Sequence, residues 1–170
     1  MTSSASSLPN TLRGRSTEPA QLDETDRRLL RLLAADARVP NNALAAEVGI
    51  APSTCSLRVR RLQDIGAISG FHAELSPDAL GLPIQAMIAV RLLPGARTAI
   101  GTFTDKLAAL PGVLNVFFVA GPDDFLLHVA ARSSDDLRDF VVRYLSASRE
   151  MAATQTSLIF EHMATRKALV

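Results

Sequence analysis

Cysteine is nearly absent: Cys55 is the only one in 170 residues, so no intramolecular disulfide can form and a disulfide-built secreted scaffold is excluded. Burial in a helical core is the expected place for this thiol, with a redox sensor as the alternative. Long apolar runs are also missing. The longest, around Ala108 to Ala120, is broken by Pro111, Gly112 and Asn115, so no segment qualifies as a membrane span and no membrane partner is expected. There is little excess charge, because 18 Lys and Arg stand against 17 Asp and Glu for a formal net charge of +1. Attraction to a polyanion must therefore be local. The three histidines, His72, His128 and His162, have no metal-ligand spacing, and the chain has no nucleophile motif or phosphate-binding glycine loop. No metal, cofactor or catalytic group is expected. What is plentiful is apolar side chain, 48% of residues, enough for one compact domain or two small ones in a soluble, cytoplasmic protein. Residues 1–21, rich in Ser, Thr and Pro, lack the apolar segment of a secretory signal and read as a disordered arm. Arg13 and Arg15 leave weak phosphate contact, or a transit-peptide likeness, as alternatives to an inert arm.

The stretch LAAEVGIAPSTCSLRVRRLQDIGAI, Leu44 to Ile68, has the shape of a helix-turn-helix. One helix is predicted from about Asn41 to Val48. Gly49 suits the left-handed corner, and Pro52 opens a second helix ending near Gly66. At 100° per residue, Cys55, Val59 and Leu62 share a packing face, while Thr54, Leu57, Arg58 and Arg61 share an adjacent one. No acid lies between Glu47 and Asp64, so Arg58, Arg60 and Arg61 are expected to form a positive patch. With Ser53, Thr54 and Leu57 they are the candidate contacts to double-stranded DNA, since arginine neutralises phosphates and grips guanine. A solvated arginine face is the plain alternative. Upstream, Leu22 to Ala37 reads as an amphipathic packing helix with Leu22, Leu29, Leu30 and Leu33 inward and Asp23 as its cap. Ile68 to Leu75 is expected as an exit strand in place of a wing, completing a DNA-binding domain over residues 22–75.

Residues 76–83, SPDALGLP, carry linker chemistry, and residues 84–167 then alternate strand and helix. Strands are expected over Ile84–Leu93, Val113–Ala120, Phe125–Arg132 and Thr154–Met163, with helices over Ala99–Leu110 and Ser133–Ser146. Asp135, Asp136 and Asp139 suit the start of the second helix. The turn Gly121-Pro122-Asp123-Asp124 joins the middle strands, so the order is the ferredoxin-like βαββαβ. The class is α+β. Helices cover one face of such a sheet, and the other face here carries Met87, Ala89 and Leu93 from the first strand. A second copy of the chain is the simplest cover.

The segments LDETDRRLLRLLAADAR, LAAEVGIAPSTCSLRVRRLQDIGAISGF and VFFVAGPDDFLLHV together resemble the Lrp/AsnC family of feast/famine transcription regulators, a likeness running from Leu22 to Lys167. The resemblance implies a winged-type helix-turn-helix joined to a ligand-binding RAM domain, dimers that assemble into tetramers or octamers, and effectors that are usually amino acids. It also implies an effector site near the hairpin Gly121, Pro122, Asp123, Asp124 and Phe125, with the last strand close by. The residues fit a zwitterion: turn N–H groups suit a carboxylate, Asp124 suits an ammonium, and Thr154, Gln155 and Thr156 add donors and acceptors. A plain hairpin turn is the competing reading. The chain departs from the family pattern at Ala51, where Ser or Thr commonly stands, and at Pro40, where Ser often does, and Asn41 is a substitute cap. Two other functions stay open: an effector-independent architectural DNA-binding protein, and a ferredoxin-like enzyme that binds a small molecule.

Overall fold

The computed structural model describes residues 21–163, and the expectations for the amino-terminal arm and for residues 164–167 lie outside that range. The chain divides after Ala73 into a helical unit and an α/β unit.

In the helical unit, α1 is Glu24–Ala35, α2 Asn41–Val48 and α3 Pro52–Asp64. The first begins two residues later than expected because Asp23 caps it. Asp23 Oδ1 accepts from the backbone N–H of Asp26, and the Asp26 carboxylate reaches back to the N–H of Asp23, closing a capping box. Gly49 takes φ +72 at the corner, and Pro52 is the first residue of α3. Leu29, Leu44, Ala45, Cys55 and Leu62 form the core, with Val59, Leu30 and Leu33 packed around them. Burial pushes the Cys55 thiol pKa up, which favours the unreactive protonated form. Asn41 does not cap α2. Its Nδ2 donates to the carbonyl of Pro52 at 2.9 Å, tying α2 to the first turn of α3. The exit strand is also not formed: residues 68–75 join no sheet, since no neighbouring strand in this unit offers them a ladder.

In the α/β unit, β1 is Ile84–Leu92, α4 Ile100–Ala108, β2 Val113–Phe118, β3 Phe125–Ala131, α5 Ser134–Phe140 and β4 Met151–Ile159. The four strands form an antiparallel sheet in the order β2-β3-β1-β4, the ferredoxin-like arrangement. Alternation along β1 places Ala86, Ile88, Val90 and Leu92 in the core with Phe125, Leu127 and Val129 of β3. Phe103 and Leu107 of α4, with Leu137 and Phe140 of α5, cover that face. The second expected helix is shorter than its pattern, because the chain widens into π-helical turns over Val141–Ser146 that place Leu145 in the core. A 3-10 turn, Pro94–Ala99, precedes α4 and carries Arg97. At Gly112, φ is +80, and a Cβ would stand 2.6 Å from the carbonyl oxygen of Ala130, so only glycine fits.

Candidate DNA and effector sites

Ser53, Thr54, Leu57 and Arg60 are exposed on α3. Leu57 is 70% exposed, although α3 buries Cys55 and Leu62. Arg60 makes no ion pair with any described residue. Arg58 and Arg61 are different. Arg58 Nη1 donates to Asp23 Oδ2 at 2.7 Å and to Asp26 Oδ1 at 2.8 Å, while Arg61 Nη1 donates to Asp26 Oδ2 at 2.9 Å. Arg61 Nη2 also donates to the carbonyl of Gln21 at 3.1 Å. The expected positive patch is therefore corrected at two of its three arginines, because Asp23, the cap of α1, and Asp26 in its first turn, both distant in sequence, neutralise them. Hydrogen bonds to Asp23 and Asp26 raise the pKa of Arg58, and the N–H of Asp26 followed by the Arg58 guanidinium lowers that of Asp23. Gln21, Asp23, Asp26, Thr54, Leu57, Arg58 and Arg61 line one open cleft of about 410 Å³. Asp26, 1% exposed, is the residue that sequence reading missed. Its only signal was the spacing Asp23-x-x-Asp26 at a helix start.

The hairpin between β2 and β3 closes where Val119 N donates to the carbonyl of Asp124 at 3.0 Å. Asp124 N donates to Val90 O at 2.9 Å, extending the ladder to β1. Phe125, Val90 and Thr154 stand in one row across the sheet, so the hairpin and the last strand do meet at the same end of β1. Their side chains converge only in part. Phe125 is fully buried, its ring 5.5 Å from that of Phe118, and so serves the core. Gln155 pairs with Ala89 and projects to the opposite face from Thr154 and Thr156, which pair with Val90 and Ile88. Asp124 is not an open carboxylate either. Its Oδ2 accepts from the backbone N–H of Leu92 at 2.7 Å and from Arg97 Nη2 at 3.3 Å, and Arg97 Nε lies 3.0 Å from Oδ1. Asp123 is paired more loosely, 3.5 Å from Arg91 Nη2. Gly121 and Pro122 are exposed, and nothing lies within 4 Å of where a Gly121 Cβ would be. Arg97 and Arg91 were not foreseen, because no local pattern ties a 3-10 turn or a strand end to a hairpin 27 to 32 residues away.

The face of the sheet opposite α4 and α5 carries Met87, Ala89 and Leu126, all half-buried, and exposed Phe117. His128 lies among them with both ring nitrogens engaged, Nε2 2.9 Å from Gln85 Oε1 and Nδ1 3.2 Å from Asn115 Nδ2. An amide NH₂ can only donate and an amide oxygen only accepts, so this pairing selects the neutral Nε2–H tautomer. Desolvation, and then the charge of His162, lowers the His128 pKa in agreement. No group of His, Cys, Asp or Glu among the described residues has the geometry of a metal site, and no described helix is long and apolar enough to cross a membrane.

A helix-turn-helix with an exposed second helix, joined in one chain to a ferredoxin-like α/β unit, defines a DNA-binding transcription regulator with a ligand-binding domain. Residues 22–63 match the AsnC-type helix-turn-helix domain, and residues 85–169 match the Lrp/AsnC ligand binding domain. The chain belongs to the Lrp/AsnC family. It is 59% identical over 145 residues to the HTH-type transcriptional regulator AldR of Mycobacterium tuberculosis, covering 85% of this chain and 81% of that one. The crystal structure of MtbAldR superposes with a TM-score of 0.75 at 53% identity, over 86% of this chain and 97% of that one. The transcriptional regulator NMB0573 of Neisseria meningitidis, solved as its L-Met complex, gives a TM-score of 0.78 at 29% identity, over 85% and 94% of the two chains.

Proposed function

We propose that this regulator senses an α-amino acid at the hairpin end of its sheet and that binding there alters assembly and DNA affinity. The observation that carries the reading is a free guanidinium edge beside the hairpin. Arg97 is about half exposed and, among the described residues, pairs only with Asp124 through Nε and Nη2, so Nη1 is available for a carboxylate. That an equally folded regulator holds L-Met supports the ligand class. In this arrangement Asp124 orients Arg97 and anchors the hairpin, Gly121, Pro122 and Asp123 form the rim, and Thr154 and Thr156 offer hydroxyls from the last strand. Met87, Ala89, Phe117 and Leu126 are the apolar face over which two copies pair, with tetramers or octamers built from such dimers. Ser53, Thr54, Leu57 and Arg60 meet the DNA groove, with Arg58 and Arg61 at its margin. The chain works in the cytoplasm and performs no catalytic step. Ligand then acts by linkage: whatever assembly it binds best gains population, and the spacing of paired α3 helices follows.

The test is a thermal-shift screen of the twenty amino acids on the full chain, followed by sedimentation and DNA titration with each hit. At least one amino acid should raise the melting temperature and change both assembly and DNA affinity. Arg97→Met should weaken that hit about tenfold, the effect of losing roughly 1.4 kcal/mol. If no amino acid shifts the melt or the DNA titration, the effector reading fails and an effector-independent architectural role replaces it.

A further inference from the structure

The pairing of Arg58 and Arg61 has a consequence for how the regulator separates its operator from other DNA. Two guanidiniums at the edge of the DNA-facing helix would ordinarily draw any duplex, because phosphate neutralisation is independent of sequence. Here two carboxylates match them one for one. Asp26 is almost fully buried and accepts from both arginines through separate oxygens, and Asp23 takes a second bond from Arg58. The acids lie at the first turn of α1, held there by their own capping box. Both arginines still keep an open side: their side chains are 30% and 49% exposed, and the cleft they line reaches Thr54 and Leu57.

We infer that Asp26 and Asp23 act as built-in stand-ins for DNA phosphate, and so as specificity-determining residues. They cancel the sequence-independent pull of Arg58 and Arg61, leaving discrimination to Ser53, Thr54, Leu57 and Arg60. A duplex engages the two arginines only where the fit of α3 in the groove compensates for loosening the internal pairs. The inference rests on α3 being the DNA-reading helix.

The experiment enriches a duplex from a random-sequence 40-base-pair pool with the wild-type chain, then measures affinity for that duplex and for the unselected pool across a KCl series. The variants are Asp23→Asn and the double variant Asp23→Asn with Asp26→Asn. Asparagine caps helices as well as aspartate does, so the first removes charge while keeping α1 intact. Each carboxylate charge removed leaves one of the two guanidinium charges uncompensated, already so in Asp23→Asn where Asp26 alone faces both arginines, and should steepen the slope of log K against log salt on the unselected pool by about 0.9. Between 50 and 200 mM salt a slope steeper by about 1.8, the value for two phosphates, corresponds to an additional fall in affinity of roughly 12-fold. Affinity for the pool should rise at low salt, and the ratio of enriched to pool affinity should fall. A merely structural pair predicts the opposite pattern, with both affinities dropping together, the slope unchanged and the melting temperature lowered. If the double variant does not fold, Asp23→Asn alone decides: an unchanged slope and ratio overturn the inference. A wild-type chain that enriches no duplex overturns the reading of α3 and this inference with it.

Discussion

Replacing Asp124 by alanine should destabilise the α/β unit before it does anything specific to a ligand. The carboxylate is 11% exposed and accepts from the backbone N–H of Leu92 at 2.7 Å, a bond buried between β1 and the hairpin. Truncation leaves that N–H without an acceptor, which costs about 1–3 kcal/mol. The pair with Arg97 adds less, because the guanidinium is about half exposed and solvent screens it; roughly 0–1 kcal/mol is the right scale. Together the loss is about 1–4 kcal/mol, and for a domain of about 60–100 residues that lowers the melting temperature by roughly 4–30 °C. Asp124→Asn keeps one oxygen for Leu92 and should lose less than half as much. Arg97→Met should cost at most about 1 kcal/mol. Circular-dichroism melts of the full chain, run at one protein concentration because assembly links stability to concentration, give all three values. An alanine variant that melts with the wild type, or an asparagine variant as damaged as the alanine one, would refute the assignment of Asp124 as the anchor of Leu92.

Other consequences can be checked with the same preparations. Gly112→Ala combines φ +80 with a Cβ 2.6 Å from the Ala130 carbonyl, and should cost upwards of roughly 1–3 kcal/mol in the melt. His128 has its pKa lowered in the folded state from an ordinary 6.5, so the unfolded chain binds protons first as pH falls. Its contribution is therefore complete above about pH 6.5 and is lost as pH drops through the lowered value; melts from pH 7.5 to pH 5 should show this fall, and His128→Gln should flatten it. Cys55 is fully buried with its thiol pKa pushed up, so a thiol reagent should label the native chain only at the rate of unfolding and label it at once in denaturant.

Much of the architecture was legible from local chemistry. Gly49 before Pro52 marks the corner of the helix pair, and the register of Cys55, Val59 and Leu62 marks its packing face. Alternation in Ile84–Leu92 and the Gly121–Asp124 turn place two neighbouring strands of the sheet. Each of these signals spans only a few residues, within the range where backbone preference and side-chain periodicity act. What the acids and arginines do was decided by tertiary structure. In sequence, Arg58 and Arg61 stand in an acid-free stretch, yet packing α1 against α3 brings Asp26 to both across 32 and 35 residues. Asp124 likewise looks like an unengaged turn residue until the antiparallel ladder sets it against Leu92 and the 3-10 turn brings Arg97 to it. Burial follows from periodicity, because an apolar side chain needs only the right face of its own element. A charged side chain needs a particular partner at about 3 Å, and only the packing of distant segments supplies one.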